Sequence, residues 1–347
     1  MEKQNINVLM VAPLTAGVVN GGVRNQVLST YRFLKRPGVS IEQYNPWQFY
    51  DPEEYDIVHI FVAGRETSAL AERLSGENTK LAVSPVLFTR REPSTVRLSR
   101  IIEKTGSIFF SGIQSEFTIK SKICKNADLI LPNTGEEAKL IHKGFGINES
   151  KIRIIPNGVE SRFAQADPQQ FLSAYKLENF TLFVGDASAK RKNLLPLLEQ
   201  ITENDSPLVV IGNIDNSDYS KRCSDLIDSK SNVIHIGALD HDDPMLESAY
   251  AAAKVFVLPS MYETPGIAAM EAALADCAIA ITGKGGTREV FLDEAVYIDP
   301  ESPETIMDSV RQAHKRNPSD ILKKRLLDGF TWHKVADKTL EAYRSIL

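Results

Sequence analysis

At 347 residues the chain exceeds one typical domain, and two domains of about 150 residues each are expected. A hydrophobic content of 43% with 24% charged residues is ordinary for a soluble globular protein, and no apolar run approaches membrane-spanning length. The net charge of −5 argues against a nucleic-acid-binding protein, and Cys124, Cys223 and Cys277, scattered without CxxC spacing, suggest neither a disulfide framework nor a zinc site.

The opening MEKQNINVLMVA lacks the positive n-region, long apolar core and cleavage site of a signal peptide, so a cytoplasmic protein is expected. Strand candidates then recur with helical segments between them: residues 6–12, 56–61, 80–84, 128–132 and 151–156. After a polar stretch suited to a linker, the pattern restarts at 181–185 and continues at 208–212, 232–237, 254–259 and 278–282. Strands alternating with helices in both halves predict two α/β domains with parallel sheets and helices on both faces.

Several loops carry residues suited to chemistry. Gly17, Gly21 and Gly22 follow the first strand, where a glycine loop lets backbone approach a phosphate; the same glycines would also serve a tight turn. A P-loop is disfavoured, because Val23 stands where its lysine is required, and no GxGxxG occurs. His59, toward the end of DIVHIF, could face a cleft between the domains, but a lone histidine is more often a hydrogen-bonded structural residue. Residues 1–160 hold 20 Lys and Arg against 17 Asp and Glu, whereas the remainder holds 20 against 28. The basic excess is sharpest over 89–125, where Arg90, Arg91, Arg97, Arg100, Lys104, Lys120, Lys122 and Lys125 surround Phe109 and Phe110. That mixture fits a solvated face or a membrane-surface patch.

In the second half, Lys190, Arg191 and Lys192 sit between a strand end and a helix, where their charge would suit an anionic ligand. Asp240, Asp242 and Asp243 resemble a metal cluster, but Asp243 before Pro244 is better read as a helix cap. Gly283, Gly285 and Gly286 follow a strand and could line the same ligand crevice as Lys190, Arg191 and Lys192 or simply turn the chain. In ETPGIAAMEAALA, Thr264 is expected to cap a helix with Pro265 at its first position. The N–H groups of Gly266, Ile267 and Ala268 would then face an anion, with Glu263 in the loop and Glu271 about two turns along. The two carboxylates could address different parts of one elongated ligand, such as a phosphate with hydroxyls on both sides.

Taken in order, the NGG loop (Asn20 to Gly22), ADLILPNTGEEAKLI, KIRIIPNGVESRF, the VG to RKN segment and PSMYETPGIAAMEAALA resemble the retaining family 4 glycosyltransferases of the GT-B fold. The stretch from Glu263 to Glu271 looks like that family's E-x7-E signature, and FTWHKVADKTLEAYRSIL like its closing helix. The resemblance implies an α/β GT-B fold of two Rossmann-like domains with parallel sheets facing a cleft. Residues 1–160 would be an acceptor-side domain, 161–178 a linker, 179–329 the nucleotide-sugar-binding domain, and 330–347 a helix packing back on the first domain.

It also implies roles. Glu271 would hold the ribose hydroxyls and Glu263 those of the donor sugar, while the backbone of Thr264, Pro265, Gly266 and Ile267 meets sugar and phosphate. Lys192, helped by Arg191 and the approach at Gly185, would neutralise the leaving diphosphate, and Gly21 and Gly22 would close over it. The implied reaction is retaining, needs no metal and no cofactor, and moves a sugar from a nucleotide-sugar donor to a saccharide or lipid-linked saccharide in surface polysaccharide or glycoconjugate assembly. A lipid-linked acceptor would bring 89–125 to the inner face of the membrane. The chain departs from the family pattern at Asp186, where many relatives carry arginine, and at Ser84, where many carry histidine. Those departures leave a non-catalytic GT-B module that binds a nucleotide sugar or glycan as the alternative.

Overall fold

The computed structural model describes residues 5–18, 21–74, 78–106 and 115–347. Two compact units divide the chain: one runs to Gly158 and takes in Trp332–Leu347, and the other spans Val159–Thr331. Among the described residues, no helix is long and apolar enough to cross a membrane.

The first unit contains five parallel strands: β1 (Ile6–Val11), β2 (Val39–Gln43), β3 (Ile57–Phe61), β4 (Lys80–Ser84) and β5 (Leu129–Ile130), in the order β2-β1-β3-β4-β5. Period-two alternation sends Leu9, Val11, Val58, Ile60, Leu81 and Val83 to one face of the sheet. Ile6, Val8, Met10, Ile57, Phe61 and Ala82 go to the other, where they meet Ala336, Leu340 and Tyr343 of the helix Trp332–Arg344. Both faces are covered, so β3 reads as one unbroken apolar run apart from His59. His59 is neutral and bonded at both ends: Nδ1 lies 2.6 Å from the Tyr343 hydroxyl and Nε2 2.9 Å from the Ser84 hydroxyl. Ser84 therefore has a structural partner.

The second unit holds six parallel strands: β6 (Thr181–Val184), β7 (Leu208–Ile211), β8 (Val233–Gly237), β9 (Val255–Leu258), β10 (Ala278–Thr282) and β11 (Val296–Ile298), ordered β11-β10-β9-β6-β7-β8. The parallel α/β architecture of both halves agrees with the sequence reading. Three details differ from it. Strands β2 and β11 were not expected: in β2 only Val39 is buried, and β11 is three residues long. Residues 151–156, expected as a strand, form only a bridge from Ile152 to Ile130, with backbone bonds from Arg153 N–H to the Ile130 carbonyl and from Ile155 N–H to the Pro132 carbonyl, both 2.9 Å. The expected linker 161–178 is folded into the second unit. It carries the turn Ser161–Gln165 and the helix Gln169–Tyr175, and Phe163 and Phe171 are fully buried in the core.

Candidate functional site

In an open parallel sheet, ligands bind beyond the carboxyl ends of the strands where the strand order reverses. In the second unit that point lies between β6 and β9. The segment after β6 contains Gly185 and the tight turn Lys190–Lys192, and the segment after β9 contains Ser260 and Glu263. A backbone bond from Met261 N–H to the Arg191 carbonyl, 2.7 Å, ties the two segments together.

Glu263 is buried, and its Oε1 gathers the local donors. Lys192 Nζ donates at 2.7 Å, the Ser260 hydroxyl donates at 2.7 Å, and Arg191 Nη1 stands at 3.8 Å. Burial alone would raise the Glu263 carboxyl, but the Lys192 ammonium, with Arg191 and Ser260, outweighs it and holds the group below the usual carboxylate range. Lys192 is itself largely buried, whereas Arg191 is half exposed. The result is a desolvated ion pair with a second cation at its open side.

Glycines let backbone crowd this pair. A Cβ on Gly285 would lie 2.2 Å from the Glu263 carbonyl oxygen, and Gly285 has φ +84°. Its neighbour Gly286 donates its N–H to that same carbonyl at 3.0 Å. A Cβ on Gly212 would lie 1.8 Å from the Gly185 oxygen, so the chain after β7 approaches the end of β6 only because Gly212 lacks a side chain.

The helix after Glu263 begins two residues later than the sequence suggests. It spans Ile267–Leu274, and its N-cap is Gly266 at φ +96°, so Thr264 is not the cap and Pro265 is not the first helical residue. The left-handed turn at Gly266 swings the chain between loop and helix, which neither Thr264 nor Pro265 could do. The Thr264–Pro265 peptide is cis. As at every helix start, the first N–H groups have no acceptor in a preceding turn of the helix. Glu271, on this helix, is buried and separate from the Lys192 pair. His241 Nε2 lies 2.8 Å from its Oε1, and the Tyr250 hydroxyl donates to Oε2 at 2.9 Å.

The structure thus joins Glu263, Lys192, Arg191 and Gly185 at one strand reversal, with Thr264, Pro265, Gly266 and Ile267 in the chain leading from it to Glu271. Gly21 and Gly22 belong to the first unit, where Gly21 caps the helix Gly22–Leu34; Asn20 lies outside the described residues. Asp186 is exposed and accepts a hydrogen bond from Ser188 N–H at 3.1 Å within its own turn. The basic trio lies between the end of β6 and the helix Leu194–Gln200, as a tight turn of its own that Asn193, left-handed at φ 59°, joins to that helix. Asp243 accepts from Met245 N–H at 2.8 Å and caps the helix that Pro244 begins. Among the described residues, Glu160, His241 and Asp242 bring ligand atoms within 4.8 Å of one another, but Arg162 pairs with Glu160 at 3.0 Å and with Asp242 at 3.7 Å.

Ser260, His241 and Tyr250 were not expected at the site. Ser260 lies three residues before Glu263 and carried no signal beyond that proximity. His241 and Tyr250 reach Glu271 from 30 and 21 residues away, which no local spacing announces.

Residues 166–326 match the family described as Glycosyl transferases group 1. An uncharacterized glycosyltransferase of Methanocaldococcus jannaschii is 24% identical over 218 residues, which is 58% of this chain and 55% of that protein. The chain therefore spans little more than half the length of this curated relative. The solved sucrose-phosphate synthase of Thermosynechococcus elongatus superposes with a TM-score of 0.76 at 16% identity, covering 98% of this chain and 99% of that one. The Anabaena protein HepE in complex with UDP gives a TM-score of 0.69 at 13% identity over 98% of this chain and 100% of its own. Both likenesses show a shared fold, that of the GT-B glycosyltransferases. The residues that match the Glycosyl transferases group 1 family, 166–326, carry Glu263, Lys192 and Glu271.

Proposed function

We propose that the chain is a retaining glycosyltransferase that moves a sugar from a nucleotide-sugar donor to a saccharide or lipid-linked saccharide acceptor, in the assembly of a bacterial surface polysaccharide or glycoconjugate. The observation that carries this reading is the buried Lys192–Glu263 pair at the β6/β9 reversal, within the residues that match the Glycosyl transferases group 1 family. Sugar transfer breaks the bond between the anomeric carbon and a diphosphate oxygen, and negative charge develops on the departing nucleoside diphosphate. Lys192 and Arg191 are cations already held in place for that charge, in surroundings where water screens them little. Glu263 orients Lys192 and offers its second oxygen, Oε2, to hydroxyls of the donor sugar. Glu271, one helix further on, takes the ribose, and the start of the helix Ile267–Leu274 favours the anionic groups between them.

The reaction in this reading needs neither a metal nor a resident cofactor, since fixed cations perform the neutralisation. The test is turnover of a panel of UDP-, GDP- and ADP-sugars without acceptor, followed by transfer to saccharide acceptors, with and without EDTA. Donor hydrolysis that survives EDTA supports the proposal. Activity abolished by the chelator and restored by Mg²⁺ or Mn²⁺ rejects the metal-free reading. Tight donor binding with no turnover on any acceptor points instead to the non-catalytic module.

A further inference from the structure

Among the described residues, the buried Glu271 carboxylate has two side-chain hydrogen-bond partners, His241 and Tyr250. Each carboxylate oxygen offers two lone pairs. His241 engages one at Oε1 and Tyr250 one at Oε2, at 2.8 and 2.9 Å. One lone pair therefore remains on each oxygen, an arrangement that suits a vicinal diol. Its orientation depends on what holds the carboxylate from behind.

His241 lies in the loop between β8 and the helix Pro244–Ala252 and touches a second carboxylate: its Nδ1 stands 3.7 Å from Asp242 Oδ1. As an imidazolium the ring carries a proton on both nitrogens and bridges Glu271 and Asp242. As a neutral ring with its proton on Nε2, it turns a bare lone pair toward Asp242, and one anchor becomes a repulsion. The other groups around it come from two further elements. Arg162 donates to the His241 carbonyl at 2.6 Å and pairs with Glu160 and Glu247, and the Phe163 ring meets the imidazole edge-on at 5.8 Å. Tyr250 and Glu271 complete the set. The hydrogen bond to Glu271 raises His241 above its ordinary value, and burial opposes that rise.

We propose that His241 is a positioning residue whose charge sets the affinity of this domain for the ribose end of a nucleotide: the imidazolium holds Glu271 in the orientation a diol requires, and loss of its proton loosens that hold. The inference rests on the reading of Glu271 as the ribose-binding carboxylate. Its sign follows from the geometry, with affinity greatest while His241 is protonated and falling as pH rises through its titration.

Calorimetry with UDP, ADP and GDP from pH 6.5 to 9 tests this on the full chain, carrying forward the tightest probe. Ionisation of the probe's phosphates contributes equally to wild type and variants, so differences between profiles isolate the protein group. His241→Gln keeps an amide donor but cannot titrate. Across this range the wild type is expected to lose about fivefold or more in affinity relative to His241→Gln, the scale of an ordinary coupling between two sites. Asp242→Asn, at an exposed position, should move the wild-type transition to lower pH, a shift that a purely structural role for His241 would not produce. Parallel profiles for wild type and His241→Gln, or an unmoved transition in Asp242→Asn, would overturn the inference. Glu271→Gln with unchanged affinity would overturn the ribose reading itself, whereas weakened binding in that variant beside parallel His241 profiles would sink only the role of His241.

Discussion

Lys192 Nζ sits 2.7 Å from Glu263 Oε1, spanning the two strands between which the second sheet reverses its order. The contact brings together a segment after β6 and a segment after β9, and both partners are largely withdrawn from water. A cation held this way needs no reorganisation when a diphosphate begins to leave, which is the condition under which electrostatic stabilisation is strongest.

Replacing Lys192 with Met preserves much of its aliphatic length and removes its charge. Turnover is expected to fall about a hundredfold or more, on the scale of a lost oxyanion donor, with a smaller change in KM because the charge matters most as the leaving group departs. Steady-state kinetics on the preferred donor, beside a thermal melt showing folded protein, decides it. Unaltered kcat removes Lys192 from the reaction.

Gly285 is required by both space and backbone angle. At φ +84°, with a would-be Cβ 2.2 Å from the Glu263 carbonyl oxygen, Gly285→Ala must displace the Glu263 loop. The variant is expected to lose more than about 1 kcal/mol of stability and to bind nucleotide more weakly. Gly17→Ala, where an added Cβ meets nothing within 4 Å, serves as the near-neutral control. Equal melting temperatures for the two variants would show that the loop relaxes freely.

Acidification should act on the first unit through His59. Burial lowers this histidine to about 3, so the folded state refuses a proton that the unfolded chain accepts below its ordinary value of 6.5. Stability is therefore fully present above about pH 6.5 and declines as pH falls toward 3, by about 2 kcal/mol at pH 5. Denaturant unfolding at pH 7 and pH 5, wild type against His59→Gln, isolates this contribution from the carboxylates. A variant with the same pH slope as wild type would show that His59 is not the titrating group.

The basic segment gives a prediction about acceptors held at a membrane. On the helix Pro93–Gly106, Leu98, Ile101 and Ile102 are exposed beside exposed Arg97, while Phe109 and Phe110 lie outside the described residues. Each Lys or Arg near an anionic surface contributes about 1 kcal/mol, and the apolar side chains add insertion. Co-sedimentation with anionic vesicles should exceed that with neutral vesicles, weaken with salt, and drop in a variant carrying Arg97→Gln, Leu98→Ser and Ile101→Ser. Equal sedimentation by wild type and variant would leave this face as ordinary surface and leave the transferase reading standing.

Much of the fold is legible in the chain because parallel strands covered on both faces must be apolar throughout, and IVHIF, LVVI, VFVL and AIAIT announce themselves that way. The spacing of Glu263 and Glu271 likewise marks one loop and one helix as a place for chemistry, since nothing in core packing asks for two buried carboxylates there. Strands β2 and β11 escape the same reading, the first being a largely uncovered edge and the second only three residues long. What only the tertiary structure decided is who meets those carboxylates. Lys192 reaches Glu263 from 71 residues away and His241 reaches Glu271 from 30, through loops that the sheet order brings to one end. The helix start moved from Thr264 to Gly266 for a related reason: capping propensity is worth about 1 kcal/mol, and the path the loop must take past Gly285 outweighs it. Local preferences specify elements; contacts between distant loops depend on strand order, which no local pattern encodes.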